Sequence, residues 1–339
     1  MKVLVTGGAG YIGSVLIRML LERGYKIKCL DRFFFGKETL RDVISDSNLE
    51  LIKDDIRWFD SRILSDVDAT IDLASLSNDP TGEIDPSKTY DINYLGRVRV
   101  AKLCKKYGVE RYILASTCSV YGFQGSILNE KSSVNPLTTY AKSNVLAEKD
   151  VLQLEDEHFS VTVMRQATVY GLSPRMRFDL AVNGMVLGAY ANGKIPVMRD
   201  GTQWRPFIHV KDTSKAFLTV LESQKDKVNR QIFNVGSNRQ NIQILALAEL
   251  VKKTFPIPIE VEWYGSPDKR SYRVNFDKIH RNLGFVADCT LRDGAREVYE
   301  ALENGKVTDS KKTKTVEWYK HLLNLHATLK EIVIHDTIL

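Results

Sequence analysis

Residues 2–13 read KVLVTGGAGYIG, in which a short apolar run passes straight into a glycine-rich turn. An apolar, β-branched run of this length predicts a buried strand. Gly7, Gly10 and Gly13 follow at regular spacing, and a helical pattern of apolar residues begins at Tyr11. Glycines at this spacing allow a tight turn and a close approach to a pyrophosphate, which then faces the amino terminus of the helix. The segment therefore predicts the first strand, turn and helix of a dinucleotide-binding sheet.

Asp31 lies at the end of the next predicted strand, where such a sheet binds the adenosine ribose. Its carboxylate can accept hydrogen bonds from the ribose hydroxyls and repels a 2′-phosphate, which favours NAD over NADP. Arg32, the next residue, favours the opposite choice. An ordinary structural turn beside a surface aspartate is the alternative interpretation. The strand, the helix and the aspartate together favour a dinucleotide site.

The rest of the first half alternates short apolar runs with longer helical patterns. This alternation predicts an α/β fold, a Rossmann-type doubly wound parallel sheet with helices on both faces. Strands are expected at residues 2–6, 26–30, 49–53, 69–73, 111–116 and 161–165, and helices at 11–23, 86–107 and 136–157. Residues 1–171 are therefore predicted to form an NAD-binding domain.

After about Gly171 the segments become shorter and more mixed. Helices are expected at 178–192, 242–254 and 291–303, and short strands at 195–198 and 232–235. We interpret residues 172–312 as a smaller α/β substrate lobe, with the chain free to cross back to the first domain. Residues 313–339 are expected to form a C-terminal helix and a tail.

The composition is that of an ordinary globular chain of 339 residues, with 43% hydrophobic and 27% charged residues. No long apolar stretch occurs, so neither a signal peptide nor a membrane anchor is expected. The four cysteines lack metal-type spacing, which predicts free thiols in a reducing cytoplasm and no metal site. The net charge of +6 suits an anionic small substrate. Nucleic acid is not an expected partner, because no basic stripe with interleaved aromatic residues occurs.

Further motifs follow the glycine turn along the chain. Residues 55–57 read DIR, 73–75 read LAS, 116–122 read STCSVYG, 140–143 read YAKS and 201–210 read GTQWRPFIHV. With these residues in place, the chain resembles, from Met1 to about Glu300, the extended short-chain dehydrogenase/reductase family. The resemblance is to the group that contains nucleotide-sugar 4-epimerases and 4,6-dehydratases. It implies a cytoplasmic, NAD-dependent enzyme of carbohydrate biosynthesis that acts on a nucleotide-diphosphate sugar.

The resemblance also assigns roles residue by residue. It implies that NAD is contacted by Gly7, Gly10, Tyr11, Ile12, Gly13, Asp31, Arg32, Asp55, Ile56, Leu73, Ala74, Ser75, Asn93, Tyr140 and Asn144. It implies that the nucleotide sugar is contacted by Ser77, Thr117, Cys118, Thr168, Asn183, Arg205, Arg270 and Arg273. The segment that carries Arg205 resembles the one that binds the substrate diphosphate, and a planar guanidinium suits two phosphate oxygens. Thr168 stands where the family usually has asparagine.

Moving a hydride away from a carbinol carbon requires a base that takes the hydroxyl proton. Tyr140 is the candidate, acting as tyrosinate in oxidation and as acid in the return step. Thr117 ends a predicted strand at the same edge and can hydrogen-bond the sugar oxygen, where charge develops. Without the surrounding motifs, a core tyrosine and an ordinary strand threonine would be the better interpretations.

One departure from the family lies four residues after the tyrosine, where Asn144 replaces the usual lysine. On a helix this position lies about 40° from Tyr140, on the same face. In the family the lysine binds the nicotinamide ribose, and its charge lowers the tyrosine pKa. Asparagine can hydrogen-bond a ribose hydroxyl but brings no charge, so a weaker or more alkaline base is expected. Asn144→Lys is accordingly expected to lower the pH midpoint of oxidation.

The reaction is narrowed by the two residues after Thr117. Family dehydratases carry an acidic pair there, and this chain has Cys118 and Ser119, so dehydration is disfavoured. What remains is 4-epimerisation, favoured by family numbers alone, or net hydride transfer by a 4-dehydrogenase or 4-ketoreductase. A catalytically weakened NAD-binding regulator is supported only by Asn144. An enzyme of non-nucleotide alcohols is opposed by Arg205.

A homodimer is the expected assembly. The predicted helices 86–107 and 136–157 carry apolar residues over more of their circumference than one core face requires. In the resembled family these two helices form a four-helix interface between subunits. The alternative is that they simply cover the sheet.

Overall fold

The computed structural model describes residues 1–334 and residue 337. Its strands are, in chain order, β1 (Lys2–Thr6), β2 (Lys26–Asp31), β3 (Leu49–Lys53), β4 (Ala69–Asp72), β5 (Arg111–Thr117), β6 (Phe123–Leu128), β7 (Ser160–Gln166), β8 (Thr168–Tyr170), β9 (Lys194–Met198), β10 (Trp204–His209), β11 (Gln231–Val235), β12 (Asn241–Gln243), β13 (Glu260–Tyr264) and β14 (Ser271–Val274).

Its α-helices are, in chain order, α1 (Gly13–Glu22), α2 (Asp79–Gly82), α3 (Pro86–Tyr90), α4 (Arg97–Lys106), α5 (Thr139–Leu152), α6 (Ala181–Asn192), α7 (Val210–Glu222), α8 (Lys225–Val228), α9 (Ile244–Lys252), α10 (Asp277–Leu283), α11 (Leu291–Glu303) and α12 (Thr315–Ile332). A π-helical stretch, Asp91–Gly96, joins α3 to α4.

Seven strands form one parallel sheet in the order β11-β7-β5-β4-β1-β2-β3. Val3, Leu4 and Val5 in β1 are fully buried, as expected for a parallel strand covered by helices on both faces. The strand order reverses beside β1, and such a reversal opens a crevice outside the carboxyl ends of β1 and β4. The predicted α/β fold with a Rossmann-type sheet is confirmed.

The predicted strand at 232–235 belongs to this main sheet and not to the second lobe. It forms β11, which pairs with β7. The sequence-based assignment missed α7, which packs against α1 and carries the chain back to the sheet. Parallel strands need a crossover of a dozen or more residues, and α7 provides it.

The second lobe packs its own core beside the carboxyl edge of the sheet. Short strands form the sets β12-β10-β8, β13-β9 and β14-β6. Val186, Ile195, Phe207, Leu247 and Val298 are buried together where strands β9 and β10 pack against helices α6, α9 and α11. The lobe therefore forms the opposite wall of the crevice.

The predicted helix 86–107 is divided in the structure by its π-helical stretch, because a π-helix makes wider turns than an α-helix. The predicted helix 136–157 begins later, at Thr139. The Thr138 hydroxyl caps it by accepting a hydrogen bond from the N–H of Ala141 at 3.2 Å. This cap fixes the start of the helix that carries Tyr140.

The last helix, α12, returns to the first half of the chain. The Trp318 indole N–H donates to the carbonyl oxygen of Phe34 at 2.7 Å. The Tyr319 ring packs against the rings of Phe34 and Phe35, with centroid separations of 5.8 and 5.6 Å. The start of α12 therefore lies beside the loop that follows β2.

Candidate active site

A cavity of about 620 Å³ lies between the carboxyl edge of the parallel sheet and the second lobe. This is where the strand order places a ligand crevice. Its walls include predicted residues of both kinds, namely Gly7, Gly10, Tyr11, Ile12, Gly13, Asp31, Arg32, Asp55, Ile56, Leu73, Ala74, Ser75, Ser77, Thr117, Tyr140, Thr168, Arg205 and Arg270. The candidate cofactor and substrate residues thus border one continuous space.

The glycine turn leaves no room for side chains. Gly7 has a φ of +66°, and a Cβ atom there would lie 2.9 Å from the Cα atom of Ala74. A Cβ atom on Gly13 would lie 2.5 Å from the carbonyl oxygen of Gly7, a backbone atom that cannot give way. The turn thus brings bare backbone to the cavity at the start of α1, which suits a pyrophosphate.

Asp31 and Arg32 follow each other at the end of β2 but take different partners. The Asp31 carboxylate accepts hydrogen bonds from the N–H groups of Ala9 at 3.0 Å and Phe33 at 2.7 Å. Burial raises the pKa of Asp31, and these hydrogen bonds oppose the rise. Arg32 pairs with Asp55, with 2.7 Å between Nη1 and Oδ2. The guanidinium that a 2′-phosphate would need is therefore already paired.

Arg175 carries buried hydrogen-bond donors that have no partner among the described residues. Its Nη2 donates to the Thr315 hydroxyl at 2.9 Å, whereas Nε and Nη1 have no acceptor. The guanidinium lies 3.6 Å from the centre of the Phe35 ring, and burial lowers the pKa of Arg175 to about 9. The Ser75 hydroxyl on the same cavity also lacks a partner. Because unpaired buried donors are costly, this pattern indicates a ligand with anionic oxygens.

Thr117 and Tyr140 come together on the cavity wall. Burial raises the pKa of the Tyr140 phenol, and the carboxylate of Asp79 adds to the rise. The Thr117 side chain and the charges of Arg97 and Arg177 act in the opposite direction without cancelling the rise. An alcohol bound at this point could lose its proton to the phenolate while the threonine holds its oxygen.

Asn144 does not border the cavity, and the structure does not support the expectation that its amide binds a ribose hydroxyl. Its side chain is buried, and both polar atoms are bound within the protein. Nδ2 donates to the carbonyl oxygen of Tyr140 at 2.9 Å, and Oδ1 accepts from Nη1 of Arg97 at 3.0 Å. The amide therefore lies between Arg97 of α4 and the backbone of Tyr140.

Asn93 and Asn183 are also buried away from the cavity, and the structure does not support ligand contacts for them. The Asn93 amide binds both backbone groups of Leu76, at 2.8 and 3.1 Å, and so fixes the loop after β4. The Asn183 amide accepts from the N–H of Gly171 at 2.9 Å and donates to the Tyr11 hydroxyl at 3.0 Å. Both residues position the cavity wall from behind.

Cys118 and Arg273 likewise lie off the cavity, contrary to the sequence-based assignment. The Cys118 thiol is buried and donates to the carbonyl oxygen of Arg165 at 3.3 Å. Arg273 points outward, where its guanidinium stacks on the Trp204 ring and donates to the carbonyl oxygen of Gly125 at 3.1 Å. Successive side chains of a strand point to opposite faces, so that of Arg273 points away from the cavity that its neighbour Tyr272 borders.

The two arginines at the substrate end form a chain of alternating charges with two carboxylates. The Asp268 carboxylate lies 2.8 Å from Nη2 of Arg205 and 2.7 Å from Nη2 of Arg270. Arg270 also pairs with Asp79, which accepts a hydrogen bond from the Thr138 hydroxyl. We refer to Arg205, Asp268, Arg270 and Asp79 as the charge network. Its carboxylates were missed from the sequence, although Asp268 lies only two residues before Arg270.

A second ion pair lies on the same cavity wall, and its carboxylate was not recognised from the sequence. Arg177 pairs with Asp179 at 2.6 Å and donates to the Ser77 hydroxyl at 3.0 Å. Asn78 donates to the same carboxylate at 3.0 Å. This pair therefore ties the loop after β4 to the second lobe across the cavity.

Neither a membrane span nor a metal cluster is found in the part of the chain that the structure describes. No helix there combines the length and the apolar character needed to cross a bilayer. The same residues contain no group of three or more His, Cys, Asp or Glu side chains arranged to hold a metal ion.

Comparison with known proteins gives consistent matches along most of the chain. The family model described as "NAD dependent epimerase/dehydratase family" matches residues 3–236. A Methanocaldococcus jannaschii protein named "Putative UDP-glucose 4-epimerase" is 26% identical over 315 residues, which cover 90% of this chain and 100% of that protein. UDP-glucuronic acid decarboxylase 1 of Arabidopsis thaliana is 29% identical over 319 residues, covering 90% of this chain and 70% of that protein.

A solved structure resembles the chain equally closely. MoeE5 in complex with UDP-glucuronic acid and NAD has 25% sequence identity and a TM-score of 0.80, covering 90% of this chain and 100% of MoeE5. The family match extends over more than half of the chain and includes the glycine turn, Thr117 and Tyr140. The chain therefore belongs to the NAD-dependent epimerase/dehydratase family, within the extended short-chain dehydrogenases/reductases.

Proposed function

We propose that this protein is an NAD-dependent nucleotide-sugar 4-epimerase, which oxidises C4 of a UDP-sugar and reduces it again on the opposite face. The proposal depends on one observation above all. Tyr140 and Thr117 meet on the wall of a cavity that continues to the glycine turn. The printed names of the relatives and of the MoeE5 complex support a UDP-linked sugar as substrate.

NAD fits the groups on the cofactor side of the cavity. The turn formed by Gly7, Gly10 and Gly13 would hold the pyrophosphate, and Asp31 would bind the adenosine ribose. Arg175 would give its two unpaired N–H groups to anionic oxygens of the cofactor. When bound, NAD would supply the acceptor and the donor of the hydride for the sugar carbon.

The residues of this chain manage the proton and the charge. The Tyr140 phenolate takes the proton from the C4 hydroxyl as the C–H bond gives up its hydride. Thr117 keeps a hydrogen bond to the same sugar oxygen while that oxygen becomes part of a carbonyl group. In the return step the Tyr140 phenol gives its proton back. Arg205, with Arg270 beside it, would bind the substrate diphosphate in exchange for Asp268.

Dehydration is less well supported than epimerisation. Burial raises the pKa of the Cys118 thiol, and its proton points to a backbone carbonyl. Asp79 is a carboxylate on the cavity wall, but it is engaged by Arg270 and Thr138. The positions after Thr117 therefore offer no free acid–base pair for removing water.

The test is a panel of UDP-glucose, UDP-galactose, UDP-glucuronic acid and UDP-N-acetylglucosamine, incubated with the protein and NAD. We expect the C4 epimer of at least one sugar, separated by chromatography, without net NADH absorbance. Net formation of NADH would instead indicate a 4-dehydrogenase. If no sugar in the panel gives a product, the proposal is overturned.

The variants Tyr140→Phe and Thr117→Val should lower kcat by about 10²-fold or more. Tyr190→Phe is the matched control, because that phenol is exposed and lies off the cavity. Full activity in Tyr140→Phe would contradict the assigned base. The homodimer stays a prediction, which sedimentation analysis of the purified chain checks.

A further inference from the structure

Tyr140 can act as a base only if its phenol loses a proton at working pH. Burial opposes that loss, because the charged form is the one that desolvation disfavours. A cation held close to the phenol offsets the effect. Position 144, one helical turn later, provides no cation, because Asn144 is neutral. The charge must come from another element.

Arg97 lies directly behind Asn144. It is the first residue of α4, and its side chain is 1% exposed. Nη1 donates to Oδ1 of Asn144 at 3.0 Å, and Nη2 donates to the carbonyl oxygens of Asp72 at 3.0 Å and Ala115 at 2.5 Å. The guanidinium is thus fixed between α5 and the ends of β4 and β5, the elements that carry Tyr140 and Thr117.

Asn144 connects the guanidinium to the turn of helix that carries the base. Its Nδ2 donates to the carbonyl oxygen of Tyr140 at 2.9 Å, while its Oδ1 faces Arg97. A lysine at position 144 could not accept the hydrogen bond from Arg97 and would bring a second buried cation against it. An acceptor at 144 and a cation at 97 therefore form a matched pair.

The counter-charge of Arg97 lies on its other side. Oδ2 of Asp72 is 3.4 Å from Nε, and this carboxylate also accepts hydrogen bonds from the hydroxyls of Thr6 and Tyr112. Nη1, at the other end of the guanidinium, contacts α5. Arg97 thus forms a buried ion pair with Asp72 on one side and donates to Asn144 of α5 on the other, and the hydroxyls of Thr6 and Tyr112 share the charge of the carboxylate.

We propose that Arg97 supplies from helix α4 the positive charge that position 144 lacks, and that Asn144 holds this guanidinium in place for Tyr140. The inference rests on the proposed function, in which Tyr140 is the base. Arg97 does not border the cavity, so it is a positioning residue and touches no ligand. The expectation of an uncompensated, weaker base is revised accordingly.

Arg97 acts among several other charges around α5. From the neighbouring elements, Asp79 opposes ionisation of the phenol and Arg177 favours it. Asp79 is partly neutralised by Arg270, and Arg177 by Asp179. Glu83 on the loop after α2 binds the N–H of Thr139 at 2.7 Å and remains the same in every variant below.

The first test titrates the phenol itself and needs no turnover. Tyrosinate absorbance is followed against pH, with and without NAD, and the signal of Tyr140 is the difference from a Tyr140→Phe partner in each background. Arg97→Met should raise the midpoint by about one pH unit, and Arg97→Lys should stay within about half a unit of the wild type. The matched control is Arg99→Met, which removes another α4 guanidinium that binds the carbonyl oxygens of Ile56 and Phe59.

The second test moves the charge from one position to the other. The double variant Arg97→Met with Asn144→Lys should return the midpoint to within about half a unit of the wild type. Asn144→Lys alone should leave the midpoint nearly unchanged and lower the unfolding temperature, because the guanidinium drives the new amine to its neutral form. An unshifted midpoint in Arg97→Met, or equal shifts in Arg97→Met and Arg97→Lys, would overturn the inference.

Two further readings keep this inference separate from the proposed function. If the midpoints shift as expected but no UDP-sugar is converted, the charge role stands and the epimerase proposal fails. If sugars are converted with unshifted midpoints, the epimerase stands and the charge role fails. Should Arg97→Met not fold, the comparison of Arg97→Lys, the double variant and the wild type decides in its place.

Discussion

Replacing Arg175 with methionine should raise the unfolding free energy of the ligand-free protein and lower its affinity for the cofactor. Two N–H donors of this guanidinium are buried without acceptors, and burial lowers its pKa to about 9. Methionine can keep the packing against the Phe35 ring while removing the unpaired donors. The two effects have opposite signs because the unpaired groups cost stability in the free protein and find acceptors only in the complex.

The magnitude follows from the two unpaired donors. An unsatisfied buried donor costs about 1–3 kcal/mol, and the variant also loses one hydrogen bond to Thr315, worth about 1 kcal/mol. Two such donors together cost about 2–6 kcal/mol, so the free protein should gain about 1–5 kcal/mol in unfolding free energy. A charged hydrogen bond contributes about 1.5–3 kcal/mol, so the loss of both bonds to the cofactor should lower NAD affinity by about 10²-fold or more.

Chemical denaturation without ligand and titration calorimetry with NAD measure the two quantities. Arg177→Met is the matched control, since that guanidinium lies two residues away, is equally buried and is paired with Asp179. The control should lose stability, because its removal leaves the carboxylate without its cation. A less stable Arg175→Met with unchanged NAD affinity would refute the reasoning.

Three other substitutions give separate tests. Despite burial, hydrogen bonds from His209 and its neighbours lower the pKa of Glu297 from 4.5 to about 2, so its stabilisation is present above pH 4.5 and is lost as the pH falls toward 2. Glu297→Gln should cost about 2–3 kcal/mol at neutral pH and flatten acid unfolding over that range, as followed by denaturation at a series of pH values. Gly13→Ala should abolish NAD binding in calorimetry, because its Cβ meets backbone at 2.5 Å, whereas Gly125→Ala, with nothing within 4 Å, should bind normally. Tyr319→Ala removes a cavity-wall ring and should raise the Kd for NAD several-fold, and an unchanged Kd would show that α12 plays no part in the cofactor groove.

Local pattern was enough to predict the strands of the first half. The predicted bounds of β1 and β3 match the structure, and β2, β4, β5 and β7 differ by no more than one residue at either end. These strands are short apolar runs buried on both faces, so the sequence carries their limits directly. In the second lobe the predicted strand 195–198 corresponds to β9, but β8 and β12 were missed because they are only three residues long.

Pairings between distant segments could not be predicted in the same way. β11 was placed in the wrong lobe because its pairing with β7 depends on hydrogen bonds between distant segments, which no local sequence pattern indicates. Arg97 and Asn144 lie 47 positions apart on different helices, and Arg205 and Asp268 lie 63 apart. The glycine turn, Thr117 and Tyr140 were recognisable because each belongs to a motif. The groups that tune them were not recognisable because they act only through the fold.

The charge network also affects which anions can bind at Arg205 and Arg270 under the proposed function. Asp268 already stands beside Arg205 and Arg270 as a tethered internal anion. A free phosphate ion would have to displace that carboxylate without gaining contacts elsewhere in the cavity, so we expect it to bind weakly at this point. A diphosphate joined to a nucleoside and a sugar would gain from contacts at both ends and could displace the Asp268 carboxylate. Under the proposed function, Asp268 would therefore favour the nucleotide sugar over small inorganic anions at Arg205 and Arg270.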